Sequence, residues 1–198
     1  MYILCYNNLH LVTSSVHGTR HRQSGTLMQI YVVNGDIAQV EADALITAIN
    51  SGGMWFGGID AVIMRTAGRQ FHDYAASVLR DHPTCKAIAA RCQQRHSGAF
   101  TDVVFTIDDL DDSLYDVVTR ALEVADQTGH TTVTMPAIRF GVMARYGGSP
   151  ESKMLEIATA LQDFAERAQS LQTVTVVFYH DDQSVRQLRS AVERRALA

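Results

Sequence analysis

Asn50 and Asp60 stand at the two ends of a glycine-bearing bend in the stretch "ALITAINSGGMWFGGIDAVIM". An amide both donates and accepts hydrogen bonds and so can hold a sugar hydroxyl, while a carboxylate beside a reacting carbon can position or deprotonate a water. Between them, Gly52, Gly53, Gly57 and Gly58 lead into a helical pattern that opens at Ile59. Glycines let a ligand approach the backbone, and the N–H groups of a first helical turn point at anionic oxygens with the helix dipole behind them. The spacing is neither that of a dinucleotide-binding turn nor that of a P-loop. An anion site of another kind and a plain turn both remain open, and Asp60 also suits a first-turn acid favoured by the dipole.

A second glycine-containing loop, "MPAIRFGVMARYGGSP" from Met135 to Pro150, follows another apolar run. Two such loops at strand ends can clamp one diphosphate from opposite sides, the usual ligand position in an open α/β sheet. Arg139 within it reads either as a phosphate partner or as a surface cation.

The elements that must position these residues follow from periodicity. Short apolar runs alternate with longer segments of helical period, the pattern of an α/β sheet flanked by helices. Strands are expected at Gln29–Val33, Ala44–Ile49, Asp102–Ile107, Thr132–Ala137 and Thr173–Tyr179. They are mostly continuously apolar, so both faces of the sheet should be covered. Helices are expected at Ile59–Arg80, Leu114–Thr128, Glu151–Gln169 and Gln183–Arg195. In the third, Leu155, Ala158, Leu161, Ala165 and Ala168 form one apolar stripe, and Pro150 with Glu151 marks the start. The segment Pro83–Ser97 is only mildly helical. Residues 1–27 are rich in Ser, Thr, Gly, His and Arg without a sustained period, and read as an N-terminal tail ahead of one domain over 28–198.

The succession "GDI" (Gly35–Ile37), "ADALITAIN" (Ala42–Asn50), "GGIDAVIMRTAG" (Gly57–Gly68) and "MPAIRFGV" (Met135–Val142) resembles the macrodomain, the ADP-ribose-binding module. The resemblance implies a three-layer αβα sandwich around a mixed, about six-stranded sheet, with ADP-ribose across the strand ends. It implies that Asp36 binds the adenine amine with Ile37 in support, and that Gly57, Gly58, Ile59, Gly141 and Val142 hold the diphosphate through backbone N–H groups. It also implies that Asn50 orients the distal ribose and Asp60 positions water, as in macrodomains that remove ADP-ribose. Tyr179 or Phe178 would take the place of an aromatic near adenine. For Asp36 the plain alternative is a turn or cap residue.

Departures from the pattern fall where catalysis is concerned. Thr47 replaces one of two family asparagines, and Arg139 to Ala144 replace a loop that commonly reads Ser-Thr-Gly-Ile-aromatic-Gly. Met143 stands where an aromatic usually packs on the distal ribose, and methionine sets geometry less tightly. Trp55 and Phe56 enter a loop that is richer in glycine in relatives, either shielding the site or packing beneath it.

A net charge of −4 and pI near 6.0 give no global reason to expect nucleic acid. Cys5, Cys85 and Cys92 form neither a CxxC pair nor a Cys/His set at zinc spacing and read as free thiols in a reducing cytosol. No apolar run is long enough to span a membrane, and "MYILCYNNLHLV" lacks the layout of an export signal. His72, His82, His96, His130 and His180 show no metal-binding spacing, and the acidic "DDLDDS" (Asp108–Ser113) reads as a solvated turn with a helix cap. No metal and no cofactor is expected. The partner implied is ADP-ribose or an ADP-ribosylated protein, with turnover of mono-ADP-ribosyl-protein or O-acetyl-ADP-ribose set against non-catalytic binding and against a degenerate domain used for protein contacts.

Overall fold

The computed structural model of the chain describes residues 27–53 and 58–196. Almost all of the expected tail, and residues 54–57 with Trp55, Phe56 and Gly57, lie outside them.

The apolar runs become β1 (Gln29–Asn34), β2 (Ala42–Ile49), β4 (Phe100–Ile107), β5 (Thr132–Pro136) and β6 (Thr173–Phe178), joined by an edge strand β3 (Ala87–Ala90). They form one six-stranded sheet in the order β1-β6-β5-β2-β4-β3, parallel except where β3 runs antiparallel to β4. Each face carries helices: α3 (Leu114–Gln127), α4 (Pro150–Ala165) and α5 (Asp182–Ala196) on one, α1 (Ile59–Ala67) and α2 (Gln70–Asp81) on the other. Successive residues of β2 therefore enter different cores, Ala44 and Ile46 on the three-helix side and Leu45 and Ile49 on the two-helix side. With both faces buried, apolar residues occupy successive positions of the strand instead of alternating ones.

Three expectations are corrected. The segment around Ala87–Ala90 is a strand: alanine favours helix in isolation, but pairing from Ala87↔Thr106 to Ala90↔Val103 buries all four residues. The expected helix Ile59–Arg80 is two helices, because Gly68 at φ 66° leaves the helical region and its N–H closes α1 on the Met64 carbonyl at 3.0 Å. The stripe of α4 is rotated from the expected one at its first turn. Leu155 is 60% exposed, while Met154, Ile157, Ala158, Leu161, Phe164 and Ala165 are buried. Over a single turn, neighbouring helical registers fit the same spacing, and packing against α3 and α5 selects one.

Serine caps start two of the helices. Ser113 accepts from the Asp116 N–H at 3.1 Å, and Ser149, just before Pro150, accepts from the Ser152 N–H at 3.2 Å. Cys92 is a free thiol as expected, whereas Cys85 is buried and disulfide-bonded, which corrects the expectation for that residue; Cys5 lies outside the described residues. Among the described residues no helix is long and apolar enough to cross a membrane.

Candidate functional site

The C-terminal ends of β1, β2, β5 and β6 open onto a cleft of about 630 Å³. Such a crevice is where an open parallel sheet presents its loop backbone and helix N-termini together. One wall is Gly35, Asp36 and Ile37 after β1; another is the face of α1; a third is the 137–143 loop after β5. Val177, Phe178, Tyr179 and Asp181 complete it at the end of β6.

The α1 wall brings an uncapped helix start to the cleft. Gly58 is the N-cap, at φ 65° and ψ −116°, a backbone conformation that residues with a Cβ rarely adopt, and no side chain caps the helix. The first-turn N–H groups are thus unanswered by a cap, in contrast to the serine-capped α3 and α4. Ile59, Val62 and Arg65 line the cleft at spacings of three along one helix face. Asp60 lines it too and is only 6% exposed. Its Oδ1 has no hydrogen-bond partner among the described residues and lies 3.7 Å from Nε2 of His72 on α2.

Asn50 is placed differently. It is half-buried, its carbonyl accepts from the Gly53 N–H at 3.0 Å, and it is not among the residues lining the cleft, whereas Thr47 and Ala48 are. The bend that carries it is held from below, since the Ser51 N–H donates to Asp109 Oδ1 at 2.8 Å.

Arg139 turns out to be an anchor. Its Nε and Nη2 donate to the two oxygens of Asp108 at 2.9 and 2.6 Å, and Nη2 also donates to the Asp112 carbonyl at 3.0 Å. Both side chains of the pair are under a tenth exposed. The hydrogen bond to Asp108 raises the Arg139 pKa above its usual value, against the opposing effect of burial. The Arg139 backbone sits at φ 64°, unusual for a residue with a side chain. Behind the loop, the buried Lys153 ammonium donates to the carbonyls of Ala144 at 2.6 Å and Arg139 at 3.2 Å. Burial and then the neighbouring Arg139 lower its pKa. The two cations fasten the back of the loop while Gly141, Val142 and Met143 face the cleft.

At the opposite end, Asp36 Oδ1 caps a short 3-10 turn, Ile37–Gln39, by accepting from the Ala38 N–H at 3.0 Å. Asp36 is exposed and lines the cleft, so capping and ligand contact are compatible. Phe178 is buried and meets Phe140 edge to face at 5.6 Å, while Tyr179 is 71% exposed at the rim. "DDLDDS" is far from a plain solvated turn. Asp108 takes Arg139, and Asp112 accepts from Arg120 at 2.9 Å and Lys86 at 3.1 Å, which hold its carboxyl below the usual range.

Of the expected site residues, Asp36, Ile37, Gly58, Ile59, Asp60, Arg139, Gly141, Val142, Met143 and Tyr179 line the cleft, Asn50 does not, and Gly57 is outside the described residues. Among the described residues no group of three or more His, Cys, Asp or Glu is arranged to hold a metal ion.

A protein-family model described as Macro domain matches residues 46–147, just over half of the chain. The chain belongs to the macro domain family. The O-acetyl-ADP-ribose deacetylase of Escherichia fergusonii is 28% identical over 165 residues, covering 79% of this macrodomain and 91% of that protein. The protein of the same name from Escherichia coli strain K12 is 28% identical over 163 residues, covering 78% and 90%. Solved macrodomains share the fold: that of Oceanobacillus iheyensis with ADP superposes with a TM-score of 0.66 at 15% identity, covering 84% of this chain and 90% of that one. That of Trypanosoma brucei in complex with ADP-ribose gives 0.65 at 17% identity, covering 82% and 68%.

Val62 and Arg65 were open to discovery from sequence, because they follow Ile59 at helical spacing. His72, Asp108 and Lys153 were not, since each reaches the site's machinery from a separate element.

Proposed function

We propose that this macrodomain binds ADP-ribose in the cleft and hydrolyses O-acetyl-ADP-ribose or the bond joining ADP-ribose to a modified protein. The observation that carries the reading is Asp60, a buried carboxylate lining the cleft two residues after an uncapped helix N-terminus. The deacetylase names of the relatives support it.

In this reading the diphosphate lies between the first-turn N–H groups of α1 and the backbone of Gly141 and Val142, with adenine toward Asp36, Ile37 and Tyr179. That seats the distal ribose near Asp60. The carboxylate takes a proton from water as the water oxygen bonds to the acyl carbon; the ester C–O bond then breaks, the ribose oxygen is protonated, and acetate and ADP-ribose leave. General-base action of this kind contributes about 10²–10⁴-fold, the rest coming from positioning.

A second reading, binding without turnover, is favoured by one observation: Asn50, the residue expected to orient the distal ribose, is absent from the cleft lining. Incubation with O-acetyl-ADP-ribose and with mono-ADP-ribosylated protein separates the two. The hydrolase reading expects released acetate or ADP-ribose, and a loss of about 10²-fold or more in kcat for Asp60→Ala with ADP-ribose affinity within about threefold of the parent. Calorimetric binding of ADP-ribose without any product would leave a binding module.

A further inference from the structure

The hydrolase reading uses Asp60 but says nothing of what stands behind it. The side chains of Asp60 and His72 are 8% and 3% exposed, and each comes from a different helix, α1 and α2, on either side of the turn at Gly68. The ring of His72 packs on Phe105 of β4 at 5.6 Å between centroids. A carboxylate so removed from water is disfavoured as an anion unless an opposite charge is near. The 3.7 Å separation is within ion-pair range and long for a hydrogen bond, so a charged imidazole stabilises the anion without occupying an acceptor site on Oδ1.

We propose that His72 is a positioning residue for Asp60: its imidazolium keeps the buried carboxylate ionised and holds it at the cleft. The catalytic consequence rests on the hydrolase reading, whereas the pairing itself does not. Among the described residues, His72 is the charge partner within ion-pair distance of Asp60. From β4 Phe105 packs on the ring, and on α2 the neighbouring Asp73 is exposed and bonded to Arg69. The other charged residues lining the cleft are Asp36 and Asp181 on the far wall, Arg65 farther along α1, and Arg139, which is paired with Asp108.

The test follows the Asp60 carboxyl carbon by NMR across pH in the parent, in His72→Phe, which keeps a packed ring, and in His72→Gln. The kcat/KM profile for O-acetyl-ADP-ribose is recorded on the same proteins. The expected result is an upward move of the Asp60 titration by about one pH unit or more in both variants, matched by the acid limb of the rate profile. ADP-ribose affinity at pH 8 should stay within about threefold. A merely structural histidine would lower activity or affinity without moving either titration. An unmoved Asp60 midpoint overturns the proposal. A parent that releases no acetate removes the hydrolase reading instead, and the carboxyl titration still decides the pair. Should His72→Phe fail to fold, His72→Gln carries the same measurement.

Discussion

Replacing Asp108 by asparagine should damage ligand binding although Asp108 does not line the cleft. The residue's carboxylate receives two short hydrogen bonds from Arg139, at 2.9 and 2.6 Å, with both side chains almost wholly buried. Removing one member of such a pair strands the other charge, at a cost of about 3–5 kcal/mol. For a domain of this size that corresponds to a fall in Tm of about 6–20 °C. It also unties the Arg139 side chain from Asp108 behind the loop, and the loss should pass to Gly141 and Val142, which line the cleft. Asp108→Asn, Arg139→Met and the double variant should therefore weaken ADP-ribose binding to a similar extent, and the double variant should cost far less than the sum. Calorimetric titration and thermal unfolding on the four proteins complete the cycle. If Arg139→Met abolishes binding while Asp108→Asn leaves both Tm and Kd unchanged, the guanidinium contacts ligand directly and the anchoring argument is wrong.

Gly58→Ala adds a Cβ into open space, so its penalty is purely in the backbone at φ 65°, about 1–3 kcal/mol or roughly 2–12 °C in Tm. Weaker ADP-ribose binding should accompany it as the first turn of α1 shifts; an unchanged Kd would show that those N–H groups are not the anion site. Asp36→Ala should weaken ADP-ribose binding by about ten- to a hundredfold, the worth of one charge-assisted hydrogen bond, while ribose 5-phosphate, which has no base, binds as before. Loss of both ligands would mean that Asp36 acts only through its cap on Ala38. Far from the cleft, the Asp102 carboxyl is held low: burial raises its pKa, but hydrogen bonds from His130, the Cys92 N–H and Arg91 outweigh that. A lowered folded pKa gives stability that is present above about pH 3.9 and lost as pH falls through the folded value. The Tm gap between parent and Asp102→Asn should accordingly narrow below pH 4, and a gap independent of pH from 6 to 3 would contradict it.

Five of six strands and the start of every helix after α2 were legible in the sequence to within about two residues, because runs covered on both sides and, for α3 and α4, serine or proline starts are local signals. β3 was not, since a stretch of three alanines and one isoleucine becomes a strand only when β4 supplies the pairing. The cleft residues on the two glycine loops were likewise readable, their types being dictated by backbone approach to a ligand. Arg139 illustrates the limit. Its position in the loop was plain, but whether its charge faced a phosphate depended on Asp108, thirty-one residues away along the chain.

By itself, then, the order of apolar runs, glycine bends and Asp36, Asn50 and Asp60 determined the sheet-and-helix class, the family and the two loops at the site. Tertiary structure alone decided which charges are available there: Arg139 is paired with Asp108, Lys153 is bonded to loop carbonyls, and His72 lies against Asp60. The reason is that backbone preferences are set within a few residues, whereas the state of a buried charge is set by whatever other element is packed within a few ångströms of it.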